Sequence, residues 1–316
     1  MAISQLGIGG DVAADITRAR LSGRKADVSG LVFRTLLQIG LFLSLLVLVV
    51  LLADVVIGGW SVLSTRLGSF LTSTLRADPA EAGISQSLAG SLWAGVVVVV
   101  LSFPLGIGSA IYLEEYAPSN RLTRFIEVNV RNLAGVPSVV FGILGFTIFV
   151  QWSGDFTGGR TALAGGLTLA CLVLPIVIIT SSEAIRSVPK AIREGGYGVG
   201  ATKWEVIRTF VLPYAAPGIL TGTVLSLARA LGEAAPLILV GAVQGRLANP
   251  DPVWDPAWLT QRFTAMPVTV ADWASRPESG FVANTAAAIV VLLVIVLMFN
   301  LASILLRNRY EKKRHS

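Results

Sequence analysis

Histidine and cysteine are almost absent: the 316 residues include one of each, Cys171 and His315. A lone cysteine excludes an intramolecular disulfide. The two together leave no Cys/His set for a buried metal and no histidine for acid–base chemistry within the body of the chain. Charge is scarce as well. Asp, Glu, Lys and Arg make up 14% of the residues and hydrophobic types 53%, whereas soluble domains carry roughly a quarter of their residues as charged groups. With a mean hydropathy of +0.72, the chain has too few polar side chains to cover a water-facing surface, so much of that surface faces lipid. No G-x-x-x-x-G-K-[ST] pattern occurs, which excludes the P-loop cradle for nucleotide phosphates.

What is present is a series of long apolar runs. A bilayer core takes about 20 residues of helix, and stretches free of charge cover 35–53, 82–113, 132–154, 161–182, 209–228 resuming at 234–245, and 279–306. All are long enough to span. They are continuous, as at 96–101, where a membrane barrel would alternate with a period of two. The expected fold is therefore all-α and integral to the membrane, with six transmembrane helices. The first run begins beyond the reach of a signal peptide and has no convincing cleavage site behind it, so it reads as a retained anchor. The implied organisation is an amphipathic arm at 1–30, a transmembrane domain at 31–306 and a basic tail at 307–316.

Orientation follows from the 25 lysines and arginines. Eighteen fall in the arm, the second loop, the fourth loop and the tail, and six (Arg66, Arg76, Arg160, Arg246, Arg262 and Arg276) in the alternate loops. By the positive-inside rule both termini are cytoplasmic. This bias also accounts for the net charge of +6 without nucleic acid. The remaining cation, Arg229, stands inside the fifth apolar run, with Glu233 four residues on.

The fourth loop, 183–213, reads EAIRSVPKAIREGGYGVGATKWEVIRTFVLP and is far longer than a turn requires. Pro189 and the glycines at 195, 196, 198 and 200 divide it into two short helices. The second opens with a capping box, Thr202 with Glu205 three residues later. Its spacing, Glu194-Gly-Gly-x3-Gly200-x9-Phe210-x-Leu212-Pro213, resembles the EAA loop of ABC importer permeases, usually E-A-A-x3-G-x9-I-x-L-P. The departures are Gly195 and Gly196 for alanine and Phe210 for isoleucine, which should loosen the local helix. The resemblance implies a coupling helix seated on a cytoplasmic ATPase subunit, with Glu194, Tyr197, Gly200, Lys203 and Trp204 at the contact. It also implies the type I importer permease fold.

Around the buried charges, residues 227–236 read LARALGEAAP and resemble the R-A-x-G-E-x-A-P signature of phosphate-specific ABC importer permeases. GVPS at 135–138 and IYLEEYAP at 111–118 resemble that family's G-V-P-S and I-Y-L-x-E-Y-A stretches. MPVTVADWA at 266–274 resembles its PstA-type rather than its PstC-type members. A charge at membrane depth costs about 3 kcal/mol on insertion scales and normally faces a partner or an aqueous path. If the fifth helix runs on to about residue 243, it is roughly 45 Å long and Arg229 lies near its middle. Guanidinium stays protonated and presents a planar fork that matches a tetrahedral oxyanion. Glu233 is expected to neutralise Arg229 when the path is empty and to yield to substrate.

Ser138 is read two ways. Amides freed by Pro137 contact the anion, or Pro137 simply opens the third span. The family further implies a second permease subunit (PstC type), a dimer of ATPase subunits (PstB type), an external phosphate-binding protein (PstS type), no cofactor, and residence in a prokaryotic plasma membrane. A permease for sulfate or molybdate, an ion-coupled carrier using Glu233, and a non-transporting scaffold are the competing readings. An enzyme is not expected, since no nucleophile–base constellation stands out.

Overall fold

Glycine and proline, more than polar loops, decide where the helices stop. The computed structural model describes residues 28–247 and 252–315, and all but the last three residues of the expected arm lie outside them. The chain divides after Asp54 into two units. The described part of the first unit is helical throughout and forms the opening of α1 (Val28–Thr72). Its large apolar side chains, such as Leu36, Phe42 and Val50, are all exposed within the chain, as a lipid-facing helix requires.

The second unit begins within α1, which continues through Gly58 and Gly59 to Thr72, with a non-helical residue at Arg66 (φ −140°, ψ 27°). The run of expected elements stops at residue 53 because Asp54 interrupts the apolar pattern; a single charged side chain does not interrupt the backbone. After α1 come α2 (Ser85–Ile111), extended by a π-turn (Tyr112–Tyr116), and α3 (Arg121–Ala134). Then α4 (Ser138–Gly145) leads into a π-helix (Phe146–Trp152), the single turn α5 (Gly154–Thr157) and α6 (Ala162–Arg186). The fourth loop holds α7 (Lys190–Gly198) and α8 (Lys203–Val206), and a π segment (Ile207–Val211) joins it to α9 (Leu212–Gly232). Last are α10 (Ala235–Val240), a 3₁₀ turn (Pro256–Thr260), α11 (Met266–Ala274) and α12 (Ser279–His315).

Among the described residues five helices are long and apolar enough to span a membrane, and a sixth span is available if α3 and the 138–152 helix count as one bent pair. The bend falls inside the charge-free run at 132–154. The two halves meet at 101° because Gly135 ends α3 and Pro137, with no amide hydrogen to donate, sits immediately before α4. The part of the run before the break belongs to an amphipathic helix with no buried residue, capped by the Asn120 side chain accepting from the Thr123 amide.

The core is built where helices approach closely. A Cβ on Gly166 of α6 would lie 2.6 Å from Val97 of α2, and one on Gly222 of α9 would lie 2.4 Å from Thr180 of α6. Small residues at crossings let backbones meet where lipid supplies no hydrophobic drive. Val98, Leu169, Val173, Leu227 and Leu231 fill the layer between these helices. A second cluster joins Phe70, Ile84, Met266, Trp273 and Phe281, which places the MPVTVADWA helix in packing rather than in chemistry. Beside it, Arg66 donates to the carbonyls of Pro79, Ala80 and Ala82 and to Asn284 Oδ1 at 2.5–2.9 Å, fixing the end of α1 to α12.

Candidate anion path and coupling surface

The fifth apolar region does not run unbroken to residue 243. Pro236 removes the amide that would bond to the carbonyl of residue 232, and its ring would clash with that carbonyl. Gly232 accordingly ends α9, Glu233 takes an extended conformation (φ −84°, ψ 114°), and α10 starts at Ala235 with proline in its first turn. Arg229 therefore lies in the last turn of a helix of 21 residues. This corrects the expected mid-helix placement.

The two charges still meet, with Arg229 Nε 3.6 Å from Glu233 Oε1. That separation is an ion pair and too long for a hydrogen bond. The Arg229 side chain is 51% exposed within the chain and Glu233 is 22% exposed. Leu227, Ala230 and Leu231 turn the opposite face of the helix into the core. Thr221, Leu225, Arg229 and Gly232 form an uncovered stripe at helical spacing, and a Cβ at Gly232 would meet nothing within 4 Å. Arg229 thus stands on the face turned away from its own chain's core, in line with a threonine, a leucine and a glycine.

Ser138 is the first residue of α4 and is half-buried. Its helix packs on α10, where Gly142 approaches the Pro236 Cα so closely that a Cβ would lie at 2.8 Å. Pro137 occupies the cap position, and the Val140 amide returns to the Pro137 carbonyl at 3.0 Å. Among the described residues no hydrogen bond or ion pair joins Ser138 to Arg229 or Glu233.

The fourth loop presents the other candidate surface. Glu194, Tyr197, Gly200, Lys203 and Trp204 are all exposed, and Tyr197 and Trp204 are 45% and 52% exposed. Val199, 80% exposed, joins them; a lone valine in a glycine-rich turn carries no pattern in the sequence. The turn itself is a Schellman motif: the Ala201 amide bonds to the Gly196 carbonyl and the Gly200 amide to the Tyr197 carbonyl. Gly200 supplies the left-handed residue, at φ +82°. The capping box forms as expected, with the Thr202 side chain accepting from the Glu205 amide and the Glu205 carboxylate accepting from the Thr202 amide at 2.7 Å.

The departures from E-A-A and I-x-L-P prove to be mutually adjusted. Gly196 is buried, and a Cβ there would lie 2.9 Å from Val206 Cγ2 and 3.3 Å from the Phe210 ring, whereas a Cβ on Gly195 would meet nothing. The larger phenylalanine occupies room that a glycine leaves. Gly195→Ala should therefore stabilise α7 by about 0.5–1 kcal/mol through backbone entropy, while Gly196→Ala should lose about 1–3 kcal/mol by overpacking. Thermal unfolding of the two variants in detergent, shifting in opposite directions, checks this.

Lys203 is only partly available to a partner, because its ammonium stands over the Tyr116 ring, 4.8 Å from the centroid. Nearby, Glu114 pairs with Arg186 and Glu115 with Arg193. These acidic groups belong to the IYLEEYAP stretch, whose role is not legible from spacing because their partners lie more than seventy positions away.

Comparison with known proteins accords with this architecture. Residues 102–314 match the family described as "Binding-protein-dependent transport system inner membrane component". The chain is 33% identical over 277 residues to the probable ABC transporter permease protein YqgI of Bacillus subtilis, covering 84% of this chain and 91% of that protein. It is 34% identical over 275 residues to the phosphate transport system permease protein PstA 1 of Mycobacterium tuberculosis, covering 86% of each. In fold it is similar to a chain of a solved bacterial alginate ABC transporter, with a TM-score of 0.58 at 15% identity over 92% of this chain and 94% of that one. The all-helical architecture, the loop between α6 and α9 and these similarities together place the protein in the multi-pass plasma-membrane permeases of binding-protein-dependent ABC transport systems, in the PstA branch of that family.

Proposed function

We propose that this chain forms one half of the translocation path of an ATP-driven importer of inorganic phosphate. The observation that carries the reading is Arg229, a permanently charged fork set on an uncovered stripe of a membrane helix and only loosely paired with Glu233. A stripe open in one chain becomes a channel wall when a second, similar subunit faces it, and the expected companion is of the PstC type. Glu233 competes with the passing anion, which keeps binding weak enough for release. Ser138, opening the helix beside α10, is assigned to the same wall.

The surface of Glu194, Tyr197, Gly200, Lys203 and Trp204 is assigned to docking on an ATPase dimer of the PstB type, which supplies the energy this chain has no P-loop to harvest. A PstS-type external protein delivers phosphate. Both termini then face the cytoplasm, with the arm at 1–30 and the tail at 307–316 on that side and 31–306 forming the transmembrane domain, from which the loop at 183–213 projects to the ATPase.

Reconstitution into proteoliposomes with the companion subunits and binding protein tests this. Uptake of radiolabelled phosphate should require ATP inside and resist excess sulfate or molybdate. Equal competition by sulfate overturns the phosphate assignment. Uptake that persists without the ATPase subunits makes the chain an ion-coupled carrier.

A further inference from the structure

We propose that the π-turn Tyr112–Tyr116 is a positioning clamp that carries coupling-loop movement to α2; the proposal rests on the permease reading above. The loop is continuous in sequence with α6 and, through the 207–211 segment, with α9, so those helices follow it directly. No such covalent link reaches α2. Beyond its packing on α6, what ties the end of α2 to the loop is a set of three polar contacts from consecutive residues.

Glu114 receives both Nε and Nη2 of Arg186, at 3.1 and 2.7 Å, and so holds the end of α6. Glu115 Oε1 receives Nε and Nη2 of Arg193, at 3.1 and 2.9 Å, and so holds α7. Tyr116 receives the Lys203 ammonium on its ring and so holds the start of α8. Consecutive residues of a helical turn fan around its axis, which lets each side chain reach a different segment. The central contact is the least accessible, with the Glu115 side chain 7% exposed and Arg193 21% exposed.

Arg193 is further committed. It donates to the Val188 carbonyl at 2.7 Å and the Ile185 carbonyl at 2.9 Å, binding α7, the end of α6 and the π-turn through one guanidinium. Under the clamp, Ala110, Ile185, Val188, Val206, Val211 and Ala215 form a separate apolar cluster. A lever gripped at α7 thus pulls on α2 through short, charge-assisted bonds, which are stronger than neutral ones and directional. The turn in which they sit closes by an i to i+5 bond, Ala117 amide to Tyr112 carbonyl. Single π-turns of this kind recur at functional places in helices.

The test uses the assembled complex in proteoliposomes with Glu115→Gln, Arg193→Gln and the double variant. Phosphate transported per ATP hydrolysed should fall by about tenfold in each single variant, within the range typical of coupling between sites. The double variant should fall no further, since one link is being broken. Additive losses, or an unchanged ratio in Glu115→Gln, overturn the clamp. Arg186→Gln, at a side chain that is 54% exposed and outside the docking surface, gives a smaller loss in the same ratio should the buried variants fail to assemble; no loss there overturns the proposal as well.

Hydrogen exchange supplies a readout independent of substrate. On binding a non-hydrolysable nucleotide, protection in the unaltered complex should change at 112–116 together with 190–198. In Glu115→Gln it should change at 190–198 alone, and a change at both sites overturns the clamp. An unaltered complex that exchanges in this way yet imports no phosphate refutes the substrate assignment while leaving the clamp standing.

Discussion

Replacing Arg229 by glutamine is expected to reduce phosphate uptake by about a hundredfold or more while the complex still assembles. Two charge-assisted hydrogen bonds to an oxyanion are each worth about 1.5–3 kcal/mol, and each 1.4 kcal/mol is about tenfold. Glutamine keeps the length and polarity of the side chain but has neither charge nor fork. Lysine in the same place restores the charge alone and should recover part of the rate, because a point charge does not grip two oxygens of a tetrahedral anion at once. Assembly is checked by co-purification of the companion subunits. Arg229 is half-exposed within its chain and has no hydrogen bond to Glu233, so its removal disturbs little packing. Uptake near the unaltered rate would leave the anion role without support.

The second large effect is expected at Gly200. A β-branched residue at φ +82° costs at least about 1–2 kcal/mol of local strain, and the Schellman turn that orients α7 against α8 depends on that conformation. Gly200→Val combined with Glu194→Trp should therefore leave ATP hydrolysis running without transport, or release the ATPase subunits on purification. Gly200→Asn is the informative control, since asparagine tolerates the left-handed region. It should retain most of the coupling, because a Cβ at this position meets nothing within 4 Å. A chain that transports without an ATPase would show no difference among the three. A valine variant as well coupled as the asparagine one would show that the turn does not govern docking.

Much of this architecture is legible in the sequence, and the exceptions have physical causes. Long charge-free runs report burial in lipid but not backbone continuity. Asp54 ends a run while the helix goes on through it to Thr72. Conversely, the charge-free runs at 132–154 and 234–245 include Pro137 and Pro236, and there the helices break. The signal for the second break was present: a proline four residues after Gly232 forbids the bond that would continue the helix. Pro189, the glycines at 195–200 and the capping box located the two short helices of the fourth loop because they are local patterns. The altered letters of the EAA spacing, Gly196 and Phe210, become intelligible only when the two side-chain volumes are seen facing one another.

Local periodicity also decides which charge pairs are legible. Arg229 and Glu233 are four apart and could be paired on paper. Glu115 and Arg193 are held together by tertiary packing across seventy-eight positions, which no local rule reaches. Ser138 is the intermediate case. Pro137 foretold the start of a helix, and α4 does start there, but sequence could not say that Pro236 would lie alongside that helix.

The break after Gly232 has one more consequence. Because α9 stops there, Arg229 stands in the last turn of the helix, at the negative end of its dipole. The terminal carbonyls favour the arginine and, under the proposed anion role, would repel the anion it attracts, as Glu233 would. Dwell time at such a post is short by construction, so the arrangement suits traffic rather than storage.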